Sequence, residues 1–176
     1  MSNDMIENIK IDTHIGSITV FYIKDTEGIE LRRIVLPYQN EPDQSEESFR
    51  YSLMIRSDLI KLIEGIRQYL MGKKISFDID IESLKGFTPF QRGVLKICHE
   101  IPWGELRFYG DIAREMGRPK AYRAVGNTLS INPFPIIIPC HRVIRSDGGI
   151  GGFQGSVYLK RRLLEIEGLG DRIRYI

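Results

Sequence analysis

The sequence predicts two unlike halves: a small α/β unit with an antiparallel sheet, then a mainly α unit of winged-helix-like type containing a helix-turn-helix. Three observations carry this. Two β-rich runs flank a short Gly-containing loop near the start. Short helical stretches punctuated by Gly and Pro follow position 86. Charge divides in a similar way: from Ile101 onward there are 12 Lys+Arg against 7 Asp+Glu, a net of +5, which leaves −3 on the earlier part of a chain whose total is +2. A basic half suits an anionic partner. The 176 residues suit two small domains, placed at 1–85 and 86–176.

Composition excludes several classes. Hydrophobic residues make up 42%, an ordinary globular share, and no run is long and apolar enough to span a membrane. Met1 to Lys10 is polar and acidic, unlike a signal peptide, so a soluble cytoplasmic protein is expected. The two cysteines, Cys98 and Cys140, read as thiols rather than a disulfide in that setting. With only His14, His99 and His141 as imidazoles, no metal-site spacing occurs, and no metal is expected.

In the first half, Ile15 to Lys24 and Ile29 to Pro37 read as strands joined through Asp25-Thr26-Glu27-Gly28. Asn40 to Glu47 reads as a surface loop. Ser57 has the chemistry of an N-cap, with Asp58 in the first turn of a helix. Leu59, Leu62, Ile63, Ile66 and Leu70 give that helix one apolar face, and Gly72 ends it. Ile75 to Ile81 alternates like a half-buried strand. This half carries no recognisable chemistry, and its role stays open.

The second half opens on Thr88-Pro89-Phe90-Gln91, a capping box with proline at the first helical position. Phe90, Val94, Leu95, Ile97 and Cys98 form the apolar face of that helix. A short helix from Tyr109 to Met116, a Gly117-Arg118-Pro119 turn and a helix from Lys120 to Ser130 make a helix-turn-helix pattern. On the last helix Ala121, Ala124, Val125, Thr128 and Leu129 are expected to face inward. Arg123, Gly126, Asn127 and Ser130 face out. One arginine among small residues is a face that lets a backbone approach a groove. The apolar run Phe134 to Ile138 reads as a buried strand leading into Pro139-Cys140-His141-Arg142-Val143, where a thiol adjoins an imidazole.

This half resembles the O6-alkylguanine-DNA alkyltransferases. The resemblance runs from Phe87 to Gly168 through Arg123-Ala124-Val125-Gly126, Asn132-Pro133, the PCHRV run, Gly151-Gly152-Phe153-Gln154-Gly155 and Leu163 to Gly168. It implies single-turnover transfer of an alkyl group from O6-alkylguanine in duplex DNA, and from O4-alkylthymine, to Cys140, by a monomer without cofactor. It implies that His141 is the base, acting through a water, and Glu167 its orienting partner. Tyr109 would be the donor to the departing guanine, with Asn132 bracing the turn. Pro139, the Val143 carbonyl, Phe153, the Gln154 amide and Gly155 would form the base pocket.

For DNA, the resemblance implies minor-groove docking and a flipped base, with Arg123 filling the vacancy. Tyr122, Ala124, Gly126 and Asn127 would lie on the binding face. Arg118, Lys120 and either Arg114 or Lys160 would meet phosphates. Phe153 and Tyr122 depart from the commoner residues of the family. A lesion-binding relative without reaction is the alternative, and Cys140 counts against it. Arg142 has no place in the chemistry and is expected to make a structural salt bridge or hydrogen bond, and the tail after Gly168 receives no role.

Overall fold

The computed structural model describes residues 5–24, 26, 28–40, 42, 49–55, 58–154 and 156–174. Two compact units divide the chain, Met1–Phe87 and Thr88–Ile176. Among the described residues no helix is long and apolar enough to cross a membrane.

In the first unit, β1 (Glu7–Thr13), β2 (Gly16–Lys24), β3 (Ile29–Val35) and β4 (Leu53–Ile55) pair in that order, antiparallel throughout. The tight turn between β1 and β2 uses Gly16 at φ +115°, where a Cβ would stand 2.8 Å from Pro37. The helix α1 (Leu59–Leu70) buries Leu62, Ile63, Ile66, Tyr69 and Leu70. Its N-cap is Asp58, whose side chain accepts from the Lys61 amide at 2.7 Å. This corrects the expected cap, and Ser57 itself lies outside the described residues, as do Asp25, Glu27 and most of the Asn40–Glu47 loop. The stretch Ile75 to Ile81 forms no strand. It alternates in exposure only as far as Ile79 and makes a single bridge, Ile79 to Ile55.

The second unit packs α2 (Pro89–His99), α3 (Tyr109–Glu115) and α4 (Tyr122–Ser130) on one another. In the α2 capping box, Thr88 accepts from the Gln91 amide, and the Gln91 side chain accepts from the Thr88 amide. Val94, Leu95 and Cys98 are buried, whereas Phe90 and Ile97 are only half-buried. The helix α4 starts at Tyr122, two residues later than expected. Ala124 is exposed rather than inward; Val125, Thr128 and Leu129 suffice for the buried stripe.

A short parallel pair, β5 (Arg107–Phe108) and β6 (Val143–Ile144), ties the start of α3 to the segment after Cys140. The last helix, α5 (Val157–Ile166), is capped by Ser156. Beyond it the tail is structural: Leu169 and Ile173 join Ile144, Ile150 and Leu164 in one buried cluster.

Candidate active site

Phe134 to Ile138 is buried but is no strand. Pro133, Pro135 and Pro139 lack the amide donors a ladder needs. Ile136 also adopts φ +73°, a left-handed conformation rare for a β-branched residue. The segment therefore satisfies its carbonyls piecemeal. The Ile138 amide donates to Phe134 O at 2.9 Å, and His99 Nδ1 donates to Ile137 O at 3.2 Å. Asn132 Nδ2 donates to Ile138 O at 2.9 Å, while its Oδ1 accepts from the Phe134 amide at 3.0 Å. A side-chain scaffold replaces the sheet.

Pro139 caps a single 3-10 turn, Cys140–Arg142. Asn132 Nδ2 also reaches Cys140 Sγ, at 3.2 Å. Burial pushes the Cys140 thiol up, and the Asn132 bond together with the Lys160 charge works against that rise.

His141 and Arg142 both reach Glu167, the residue that ends α5. His141 Nε2 donates to Glu167 Oε1 at 2.7 Å, with both side chains fully buried. Arg142 Nε donates to both carboxylate oxygens, at 3.1 and 3.0 Å, and its Nη2 to Oε1 at 3.0 Å. The remaining guanidinium arm donates to Ile101 O, and the Gly104 amide donates to Glu167 Oε2 at 3.2 Å. Burial alone would raise the Glu167 carboxyl, but its bonds to His141 and Arg142 outweigh this and hold it down to about 2. Burial pushes the His141 imidazole below its ordinary value despite the carboxylate beside it. A neutral imidazole locked against a carboxylate is a base waiting for a proton.

Cys140 opens onto a cavity of about 400 Å³. Tyr109, Phe153 and Gln154 line it, with Gly126, Leu129 and Ser130 from α4 and Gly152 from the loop before α5. Gly151, at φ +70°, passes so close that a Cβ there would lie 3.1 Å from Tyr109 Oη. Burial first, then the nearby cysteines, push the Tyr109 phenol up to about 12, so it holds its proton and can donate it. Gln154 reaches Asn132 O through its side-chain Nε2 at 2.8 Å. Gly155 lies outside the described residues.

Lys160 is a correction. Expected as a phosphate contact, it is wholly buried, because Leu163, Leu164 and Glu167 follow it at helical spacing on the inner stripe of α5. Its Nζ donates to Val143 O at 2.6 Å and to Gly152 O at 3.3 Å, tying β6 to the loop that lines the cavity. It stands 5.9 Å from the centroid of the Tyr109 ring. Burial lowers it to about 8. The Val143 carbonyl thus already accepts one bond, with a second lone pair left.

The remaining expected contacts lie together in sequence around the start of α4. Arg118, Lys120, Tyr122, Arg123, Ala124 and Asn127 are exposed, and Gly126 is half-buried at the cavity wall. Arg118 sits over the Phe90 ring at 5.4 Å, and Arg114 pairs with Asp111. The structural salt bridge expected of Arg142 is made, with Glu167 as the partner the sequence did not name. Sequence reasoning missed Lys160 as an interior cation, and His99, Ser130 and Gly152. Of these, the spacing of α5 could have revealed Lys160.

A cysteine on a short turn, backed by a buried His–Glu pair, in a unit that carries a helix-turn-helix defines a nucleic-acid-associated protein with a thiol nucleophile. Comparisons with known proteins make the class specific. Residues 89–169 match the model of the 6-O-methylguanine DNA methyltransferase DNA-binding domain. A methylated-DNA–protein-cysteine methyltransferase of Methanothermobacter thermautotrophicus is 47% identical over 109 residues, 62% of this chain and 61% of that protein. The inducible Bacillus subtilis protein of the same name is 36% identical over 155 residues, covering 84% of this chain and 83% of that one. The crystal structure of Mycobacterium tuberculosis OGT in complex with DNA superposes with a TM-score of 0.73 at 32% identity, covering 94% of each chain. The chain belongs to the methylated-DNA–protein-cysteine methyltransferase family.

Proposed function

We propose that this protein repairs duplex DNA by moving the alkyl group of O6-alkylguanine onto its own Cys140, once per molecule. The observation that carries the reading is the position of Cys140. Its sulfur borders a cavity shared with Tyr109 and adjoins a buried His141–Glu167 pair. Family membership and the DNA complex of the M. tuberculosis relative support it.

In this mechanism His141 takes the thiol proton through a bridging water, and Glu167 and Arg142 hold the imidazole in place. The thiolate attacks the alkyl carbon, forming the S–C bond as the C–O6 bond breaks and its electron pair passes to guanine. The phenol of Tyr109, kept protonated by burial, supplies the proton that neutralises the departing base. The proton held by His141 then restores the phenol through solvent. The thioether is stable, so turnover ends there.

Asn132 holds the sulfur, and Lys160 ties Val143 to the Gly152 wall of the cavity. Gln154, Phe153, Pro139 and the free lone pair of Val143 O recognise the flipped base. Arg123 occupies the space it leaves, and Arg118 and Lys120 bind phosphates independently of sequence. The protein works as a monomer in the compartment that holds the DNA, and O4-alkylthymine is the secondary substrate.

Incubation with a duplex carrying O6-methylguanine should add one methyl mass, mapped to Cys140. Tight binding without any mass change would leave only a lesion-binding role.

A further inference from the structure

The exposed aromatic at the start of α4 has no part in the chemistry above. Tyr122 is 47% exposed, although it begins a helix that buries Val125, Thr128 and Leu129. Its place on that helix matters more than its exposure. Tyr122 precedes Gly126 by four residues, Leu129 by seven and Ser130 by eight, and all three line the cavity. At about 100° per residue, Tyr122 lies roughly 40°, 20° and 80° from them around the helix. Arg123 lies roughly 60°, 120° and 20° from the same three. Averaged over that stripe, the tyrosine is the nearer of the two.

The two side chains also touch. The Arg123 guanidinium carbon is 5.7 Å from the Tyr122 ring centroid, a cation–π approach between neighbouring residues. A half-exposed ring with a cation at hand matches the elements that hold unstacked nucleobases: an aromatic surface beside positive charge.

We infer that Tyr122 is a stacking platform for a nucleobase at the mouth of the Cys140 cavity, next to the Arg123 side chain that enters the duplex. This rests on the DNA-alkyltransferase reading and deepens it. The platform takes the π-face of a base, so it acts without sequence preference. It contributes when the lesion arrives in DNA and contributes nothing when it arrives as a free base.

Two substrates and two variants test this. Tyr122→Ala and Tyr122→Phe are each reacted with free O6-benzylguanine and with a duplex carrying O6-methylguanine, and Cys140 alkylation is followed by mass. Tyr122→Ala should keep the wild-type rate on the free base and lose about tenfold on the duplex, the scale of one lost base–aromatic stack. Tyr122→Phe, which keeps the ring and drops the hydroxyl, should match wild type on both. With 2-aminopurine beside the lesion, the bound duplex should show ring-dependent quenching in wild type and Tyr122→Phe but not in Tyr122→Ala. Equal duplex rates for wild type and Tyr122→Ala overturn the platform while leaving alkyl transfer intact. So does an equal loss on both substrates. A wild-type protein that reacts with neither substrate overturns the alkyl-transfer reading itself.

Discussion

Replacing Glu167 by glutamine would remove a charge while keeping the side chain's size. The carboxylate accepts from His141, from two nitrogens of Arg142 and from the Gly104 amide. An amide can accept at one end only, and its NH2 would face guanidinium donors. Arg142, 7% exposed, would keep the Ile101 carbonyl and one amide oxygen but lose its second acceptor and its counter-charge. Relative to an ordinary carboxyl at 4.5, a native value of about 2 corresponds to about 3 kcal/mol of stabilisation. Breaking buried ion pairs costs about the same, roughly 3–5 kcal/mol. Because the native value lies below the unfolded one, this stabilisation is complete above pH 4.5. It disappears as pH falls toward 2. Urea unfolding of wild type and Glu167→Gln should therefore differ by about 3 kcal/mol near neutral pH, and the gap should close between pH 4.5 and 2. The variant should also react at least about tenfold more slowly with free O6-benzylguanine, since His141 loses the anion that supports its protonation. A stability gap that stays constant down to pH 3 would refute the ion-pair account.

Lys160→Met should raise the pH at which iodoacetamide labels Cys140, because the lysine charge works to lower the thiol. Buried lysine at about 8 releases its proton below the unfolded value of 10.5, so wild type should gain stability relative to this variant as pH rises from 8 to 10.5. Parallel unfolding curves over that range would refute it. Asn132→Ala should cost about 2–3 kcal/mol by thermal or urea unfolding, from the Phe134 amide left without its acceptor and Ile138 O left without one donor. Its Cys140 should also label only at higher pH, and a variant as stable as wild type would argue against the Asn132 scaffold.

Legibility in the sequence followed the range over which each signal acts. The α2 capping box and the apolar stripe of α1 are local patterns, and Thr88, Gln91 and Leu62 to Leu70 stand where those patterns put them. Four strands were illegible. Residues of β1 are mostly exposed along a sheet edge, and β4, β5 and β6 are only two or three residues long. Phe134 to Ile138 misled because an apolar run shows burial without showing backbone path, and the prolines within and around it were the better guide. At the candidate site, Cys140 and His141 are adjacent and visible as a pair, whereas Glu167 follows His141 by 26 residues. No periodicity links them, and only the resemblance singled out Glu167. Lys160 shows the opposite failure: its position was legible, but charge was taken to imply the surface.

Glu167 ties together residues that are made at very different times. Gly104 precedes it by 63 residues and Arg142 by 25. On a ribosome, the cysteine is synthesised well before the residue that fixes its neighbouring imidazole, and before Ile173 closes the cluster beneath β6. A nascent or prematurely ended chain carries the Cys140 thiol before the carboxylate that holds His141 exists, so the buried His–Glu pair forms only once the unit has closed.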